Sequence, residues 1–221
     1  MKPRAQSLCC SWSGGKDSCL ALHRALAAGG RLTCLATMFT EDGQRSRSHG
    51  LAREVLEAQA AAIGVPLLTA AATWDEYEAA FVSLLGQARR RGAEAAVFGD
   101  IDIPRHREWE ENVCRQAGLA AELPLWQEER LKLLEEWWAA GFEACVVVVR
   151  ERLIDSKYLG RRLDRQVAEE FAALGVDPCG ENGEFHTVAV RGPLFRRPLE
   201  LEMRGQVLRS GCWFQDVAVK M

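Results

Sequence analysis

Leu8-Cys9-Cys10-Ser11-Trp12-Ser13-Gly14-Gly15-Lys16-Asp17-Ser18 opens as a short apolar run, passes through two glycines and enters a helical pattern that lasts to about Ala28. The order is strand, tight loop, helix. Two adjacent glycines let the backbone come close to a ligand and turn several N–H groups toward it. Ser13 and Ser18 add hydroxyl donors, and the N-terminus of the following helix supplies unpaired N–H groups with a partial positive charge, a favourable seat for phosphate. Asp17 would be repelled by bare phosphate, so it reads either as a holder of magnesium or as a cap on the helix. The ordinary Walker loop is excluded. It needs a glycine five positions before the Gly-Lys pair and Ser or Thr directly after it, where this chain has Cys10 and Asp17.

Outward from that loop, strands and helices alternate. Thr33 to Phe39 reads as a strand, Leu51, Val55, Ala58 and Ala62 recur at helical spacing, and Val65 to Thr69 is a third strand. Tyr77, Phe81, Leu84 and Ala88 mark a helix face, and Ala95 to Phe98 enters Gly99-Asp100 as a fourth strand. This alternation predicts an α/β fold, a doubly wound Rossmann-like parallel sheet whose ligands lie beyond the carboxyl ends of its strands. Beyond Pro124 the rhythm continues with a helix near Glu128 to Ala140, the β-prone run Cys145 to Val149 and a helix near Asp164 to Leu174. Short strands separated by Gly and Pro follow, at Thr187 to Val190, Leu199 to Leu208 and Cys212 to Val219. The expected division is 1–125 for a nucleotide-binding domain and 126–221 for a smaller mixed α/β, substrate-binding domain.

Bulk properties narrow the setting. With 221 residues the chain can bury a substantial core, and a net charge of −3 with interspersed signs gives no support to a nucleic-acid partner. Arg89-Arg90-Arg91 reads as the solvated end of a helix. The eight cysteines lack paired C-x-x-C spacing and read as reduced thiols of a cytoplasmic protein. No apolar run approaches the roughly 18–20 residues needed to span a bilayer, so no membrane partner is expected.

A second polar concentration is Cys179-Gly180-Glu181-Asn182-Gly183-Glu184-Phe185-His186-Thr187. Two carboxylates, an amide, an imidazole and a hydroxyl between glycines suit acid–base work and recognition of an amine, with Glu184 and His186 as catalytic candidates and Glu181, Asn182 and Thr187 as substrate contacts. Gly99 and Asp100 sit where an invading ligand would need a small residue and a polar anchor. Lys16 and the pair Arg45/Arg47 are candidates for stabilising phosphate charge, and solvated arginines are the competing reading. Met38 is read either as a partner for adenine or as core. Arg107, Trp109, Glu110 and Asn112 read as packing and solvent-facing groups of a helix, and Trp137-Trp138 as its neighbour's anchor in the core.

Ser13-Gly14-Gly15-Lys16-Asp17-Ser18, at its strand-to-helix turn, resembles the PP-loop of the N-type ATP pyrophosphatases, the adenine nucleotide alpha hydrolase-like group that includes asparagine and GMP synthetases and tRNA thiolation enzymes. With Pro124-Leu125-Trp126, Leu159-Gly160-Arg161, Asp177-Pro178-Cys179, the Glu-Asn-Gly-Glu-Phe-His stretch and Gly192-Pro193-Leu194-Phe195, the whole chain resembles the diphthine-ammonia ligase family. The resemblance implies ATP and Mg2+, with the tentative metal contact on Asp17, and a loop that holds pyrophosphate while a carboxylate is adenylated. Ammonia then displaces AMP, in that family from diphthine on elongation factor 2. Arg45-Ser46-Arg47-Ser48-His49-Gly50-Leu51 departs from the archaeal and eukaryotic pattern and resembles the bacterial branch, where diphthamide is not expected, so the resemblance carries over the ATP chemistry and leaves the acceptor open; His49 in it is expected at the nucleotide. Rival readings are an ATP- or AMP-binding regulator without catalysis and a tRNA-modifying PP-loop enzyme. The acceptor's identity and any homo-oligomer are left open.

Overall fold

The computed structural model describes residues 5–220. Five strands, β1 (Ser7–Ser11), β2 (Arg31–Phe39), β3 (Leu67–Ala71), β4 (Ala95–Val97) and β5 (Ala120–Glu122), form one sheet in the order β3-β2-β1-β4-β5. Every pairing in it is parallel. The small apolar residues of these strands explain why: in β1 and β2 they are buried on both faces, which a parallel sheet requires. Alternate residues Cys34, Ala36 and Met38 of β2 join Cys9, Ala96 and Phe98 in one core cluster. Its other wall is α3 (Tyr77–Arg90) and α4 (Pro104–Ala117), through Phe81, Leu84, Val113 and Cys114.

β5 is absent from the periodicity. Its three residues, Ala-Ala-Glu, have weak strand preference and follow the helix stop closely: Gly118, at φ 72°, closes α4, its N–H donating to the Arg115 carbonyl while Leu119 N–H donates to that of Cys114.

The chain moves outward from β1 through β2 to β3, then returns to lay β4 on the other flank of β1. The turns after β1 and β4 therefore bound the switch point of the sheet, where ligands of such folds bind.

A second sheet is antiparallel. It consists of β6 (Glu143–Arg150), β7 (Phe185–Arg191), β8 (Leu201–Arg209) and β9 (Cys212–Val219) in the order β7-β6-β9-β8. The valine run of β6 reads alike in either kind of sheet, because it is buried on both faces. Leu134 of α5 (Arg130–Ala139) and Val167, Ala168 and Phe171 of α6 (Arg165–Ala173) pack with Val146, Val149 and Phe185. Trp137 is buried against Phe142, and Trp138 donates to the Leu163 carbonyl at 2.9 Å, so the tandem tryptophans do anchor α5. β8 is an exposed edge bent by a bulge, and Gln215 fills it by donating to the carbonyls of Arg204 and Asp216.

By contacts the chain divides into two compact units. The first comprises residues up to Ser13, Asp17–Arg47 and Gly64–Gln127; the second comprises Gly14–Lys16, Ser48–Ile63 and the chain from Glu128 onward. Two early segments, Gly14–Lys16 and Ser48–Ile63, thus group with the C-terminal part of the chain. The second of these carries α2 (Arg53–Ile63), whose Ala62 carbonyl accepts from Arg196 N at 2.9 Å, while Gly50 lies against Phe214 of β9. Among the described residues no helix is long and apolar enough to cross a membrane, and all eight cysteines are free thiols.

Candidate functional site

In the first unit, the turn after β1 and the start of α1 (Lys16–Ala27) bring Ser13 and Ser18 together, their hydroxyls 3.1 Å apart. Asp17 lies half-buried in the first turn of α1. At the end of β4, a Cβ on Gly99 would lie 2.8 Å from the Asp17 carbonyl carbon and the Ser18 nitrogen. Only glycine permits that approach. Asp100 bonds His106 at 2.6 Å and also meets Glu110; burial pushes its carboxyl up, but these two hydrogen bonds hold it below the usual range. Glu110, expected among packing and solvent-facing groups, is in fact a buried partner of that aspartate. Met38 lies in the core cluster, and Arg47 reaches the Ala72 carbonyl and Glu41 while covering Trp74 at 4.7 Å.

In the second unit, Gly14–Lys16 is held from several sides. Gly14 adopts φ 79°, and a Cβ there would lie 2.6 Å from the Gln59 side-chain oxygen and 2.7 Å from Leu56. Its carbonyl accepts from Gln59 Nε2 at 2.9 Å and from Ala189 N at 2.8 Å. A Cβ on Gly15 would lie 2.4 Å from the His49 ring. Lys16 is buried, and its N–H donates to Thr187 Oγ1 at 3.1 Å. The two glycines thus serve close packing of the loop against α2 and His49.

His49 and His186 stack with centroids 4.5 Å apart and planes at 20°. Burial pushes the His49 imidazole down to about 4, with Lys16 adding to the effect against the opposing bond to the Thr187 carbonyl. Burial likewise holds His186 well below its ordinary range, followed by its stacked neighbour, Lys16 and Arg150. His49 Nδ1 lies 2.9 Å from the Thr187 carbonyl oxygen, which can only accept. The neutral ring therefore carries its proton on Nδ1 and a lone pair on Nε2. At neutral pH the two rings are uncharged and offer nitrogen lone pairs, the form in which an imidazole accepts hydrogen bonds or a proton.

The polar loop before β7 is organised by its own carboxylates. Glu184 is buried and accepts from Asn182 N at 3.0 Å and Asn182 Nδ2 at 3.1 Å, one bond on each oxygen. Asp177 accepts from Cys179 N at 3.0 Å, Glu181 N at 3.1 Å and Arg130 Nη1 at 2.7 Å. The Cys179 thiol donates to the Arg130 carbonyl at 3.0 Å.

The fold therefore assembles Gly14, Gly15, Lys16, His49, His186 and Thr187 within one unit, ties Asn182 to Glu184, and consigns Met38 to the core. Sequence reasoning missed Gln59, Arg130 and Arg150, and quoted Asp177 without seeing that it organises the loop. Gln59 had a signal, as the amide on the apolar stripe of α2 one turn beyond Val55.

Residues 7–121 match the family model described as diphthamide synthase N-terminal domain, and residues 129–218 the one described as diphthamide synthase C-terminal domain. The chain is 27% identical to the diphthine–ammonia ligase of Rattus norvegicus and 26% identical to that of Homo sapiens, in each case over 93% of this chain and 86% of the relative. A solved structure from Methanocaldococcus jannaschii, described as a predicted subunit of tRNA methyltransferase, superposes with TM-score 0.44 at 13% identity over 90% of this chain and all of that one, a likeness too distant to bear on function.

Proposed function

The chain belongs to the diphthamide synthase family, and from that premise we propose that it is an ATP-dependent carboxylate–ammonia ligase. The observation that carries this reading is the loop Ser13–Ser18, two close-packed glycines at the N-terminus of α1 beside the switch point of a parallel sheet. A substrate carboxylate attacks the α-phosphorus of ATP, and the bond to the β-phosphate oxygen breaks. Pyrophosphate leaves into the loop, and an acyl-adenylate remains. Ammonia attacks the acyl carbon, loses a proton, and expels AMP as the amide forms. Diphthine is the acceptor that the relatives' name gives; for this chain the acceptor class is a carboxylate.

On this reading the residues take distinct parts. Ser13, Gly14, Gly15 and Ser18 hold the leaving pyrophosphate, and the buried Lys16 opposes the charge that grows on it. Gly99 and Asp100 border the nucleotide, with Met38 in the core beneath the end of β2. Among the described residues no three His, Cys, Asp or Glu side chains gather as a metal centre, and a lone Asp17 carboxylate suits Mg2+, which takes most of its ligands from phosphate and water. The neutral His49–His186 pair accepts hydrogen bonds from the incoming nitrogen. The Glu181–Thr187 stretch contacts the acceptor, with Glu184 setting its shape. A cytoplasmic setting agrees with eight free thiols.

The test is incubation with Mg-ATP, ammonium and fractionated acceptor, with nucleotides resolved by chromatography. AMP and pyrophosphate formed in step with amide are expected. ADP, or AMP without dependence on acceptor and ammonium, would overturn the reading.

A further inference from the structure

Gln59 is fully buried, and among the described residues of α2 it is the polar side chain of the buried face. An amide so placed costs stability unless its donors are used. Both are: Nε2 donates to the Gly14 carbonyl at 2.9 Å and to the Ala189 carbonyl at 2.8 Å. Ala189 N in turn donates to the same Gly14 carbonyl at 2.8 Å. β7 is an edge strand of its sheet, so Gly14 and Gln59 together satisfy the outward N–H and C=O of Ala189.

The Gly14 carbonyl therefore receives two donors. A trans peptide is planar, and its N–H points opposite to its C=O. Pinning the Gly14 carbonyl toward α2 and β7 fixes the Gly15 N–H in the reverse direction, and a flip of this peptide between two glycines would break both bonds in a dry environment. Glycines need such a constraint more than other residues, because nothing in their own side chains restricts them.

We infer that Gln59 is a positioning residue, which holds the Gly14–Gly15 peptide of the pyrophosphate loop in one orientation by pinning the Gly14 carbonyl. The inference rests on the reading that this loop holds the leaving group. Gln59 itself touches no reactant.

The experiment is isothermal titration of the full chain with magnesium pyrophosphate and, separately, with AMP, for the natural protein, Q59M and Q59N. Methionine keeps the volume without the donors, and asparagine is too short to reach both carbonyls, which provides a milder variant if Q59M does not fold. Melting curves establish that each protein is folded at the titration temperature. The expected result is a loss of pyrophosphate affinity of about tenfold, with AMP affinity within twofold of the natural protein. Unchanged pyrophosphate affinity would overturn the inference, as would an equal loss for both ligands, which marks general packing. If the natural protein binds AMP but not pyrophosphate, the parent reading fails and the inference with it.

Discussion

His49 lies against Gly15, bonds the Thr187 carbonyl and stacks on His186, so protonating it would place charge where water is scarce. Its imidazole titrates near 4 when folded and near 6.5 when unfolded. Between those values the unfolded chain binds more protons. Stability therefore falls as pH drops from 6.5 toward 4, by about 1.4 kcal/mol per pH unit for each such histidine, and is unaffected by this group above 6.5. Urea midpoints at pH 7.5 and 5.0 should show a pH-dependent loss smaller in H49Q than in the natural protein by about 1–2 kcal/mol; identical losses would show that His49 is not held neutral. Gly14 makes a second prediction at this scale. In G14A a left-handed alanine meets the Gln59 oxygen and Leu56, so stability should fall by about 2 kcal/mol or more in a thermal melt.

For elements, the contrast between two aspartates is instructive. Asp164 caps α6 by accepting from Val167 N at 2.9 Å, an isolated contact, and D164A should cost about 1 kcal/mol. Asp177 instead takes two loop N–H groups and the Arg130 guanidinium, so D177A removes three bonds at once. Its cost should be about 2–3 kcal/mol, with a fall in kcat/KM for the acceptor that D164A does not share; equal kinetics in both variants would deny the loop a role in acceptor binding. Both aspartates stand in the sequence as turn-type residues before a helix or glycine. The cap and the bonds from Cys179 N and Glu181 N are local and legible as turn chemistry, whereas Arg130 is 47 residues from Asp177. Local signals likewise made the Ser13–Ser18 turn and nearly all strands legible, while β5 was too short and too alanine-rich to show a pattern. Glu184 and His186 were legible as polar residues worth attention. Their environments were not, since a carboxylate bonded to Asn182 and a ring neutralised by burial look the same in a sequence as free ones.

At the scale of the molecule, the alternation of strands and helices reveals a doubly wound sheet but not the allegiance of each helix. α2 has the period expected of any amphipathic helix, and its grouping with the second sheet follows from β9, more than a hundred residues later. Fragment 128–221, expressed alone, therefore lacks α2 and the Gly14–Lys16 segment that covers the edge of β7. It should give the collapsed amide spectrum of a poorly folded chain and regain dispersion when a peptide carrying 48–63 is added; a well-dispersed spectrum for the bare fragment would contradict this. The first unit's 3-2-1-4-5 sheet has no such gap in its strand order. Lys16 N and Thr187 Oγ1, joined in the finished protein, are 171 residues apart in the chain. During synthesis at roughly 5–20 residues per second, the glycine loop would leave the ribosome on the order of ten to thirty seconds before its partners exist. The nascent protein would thus pass through a period in which its most sensitive turn is made but not yet set.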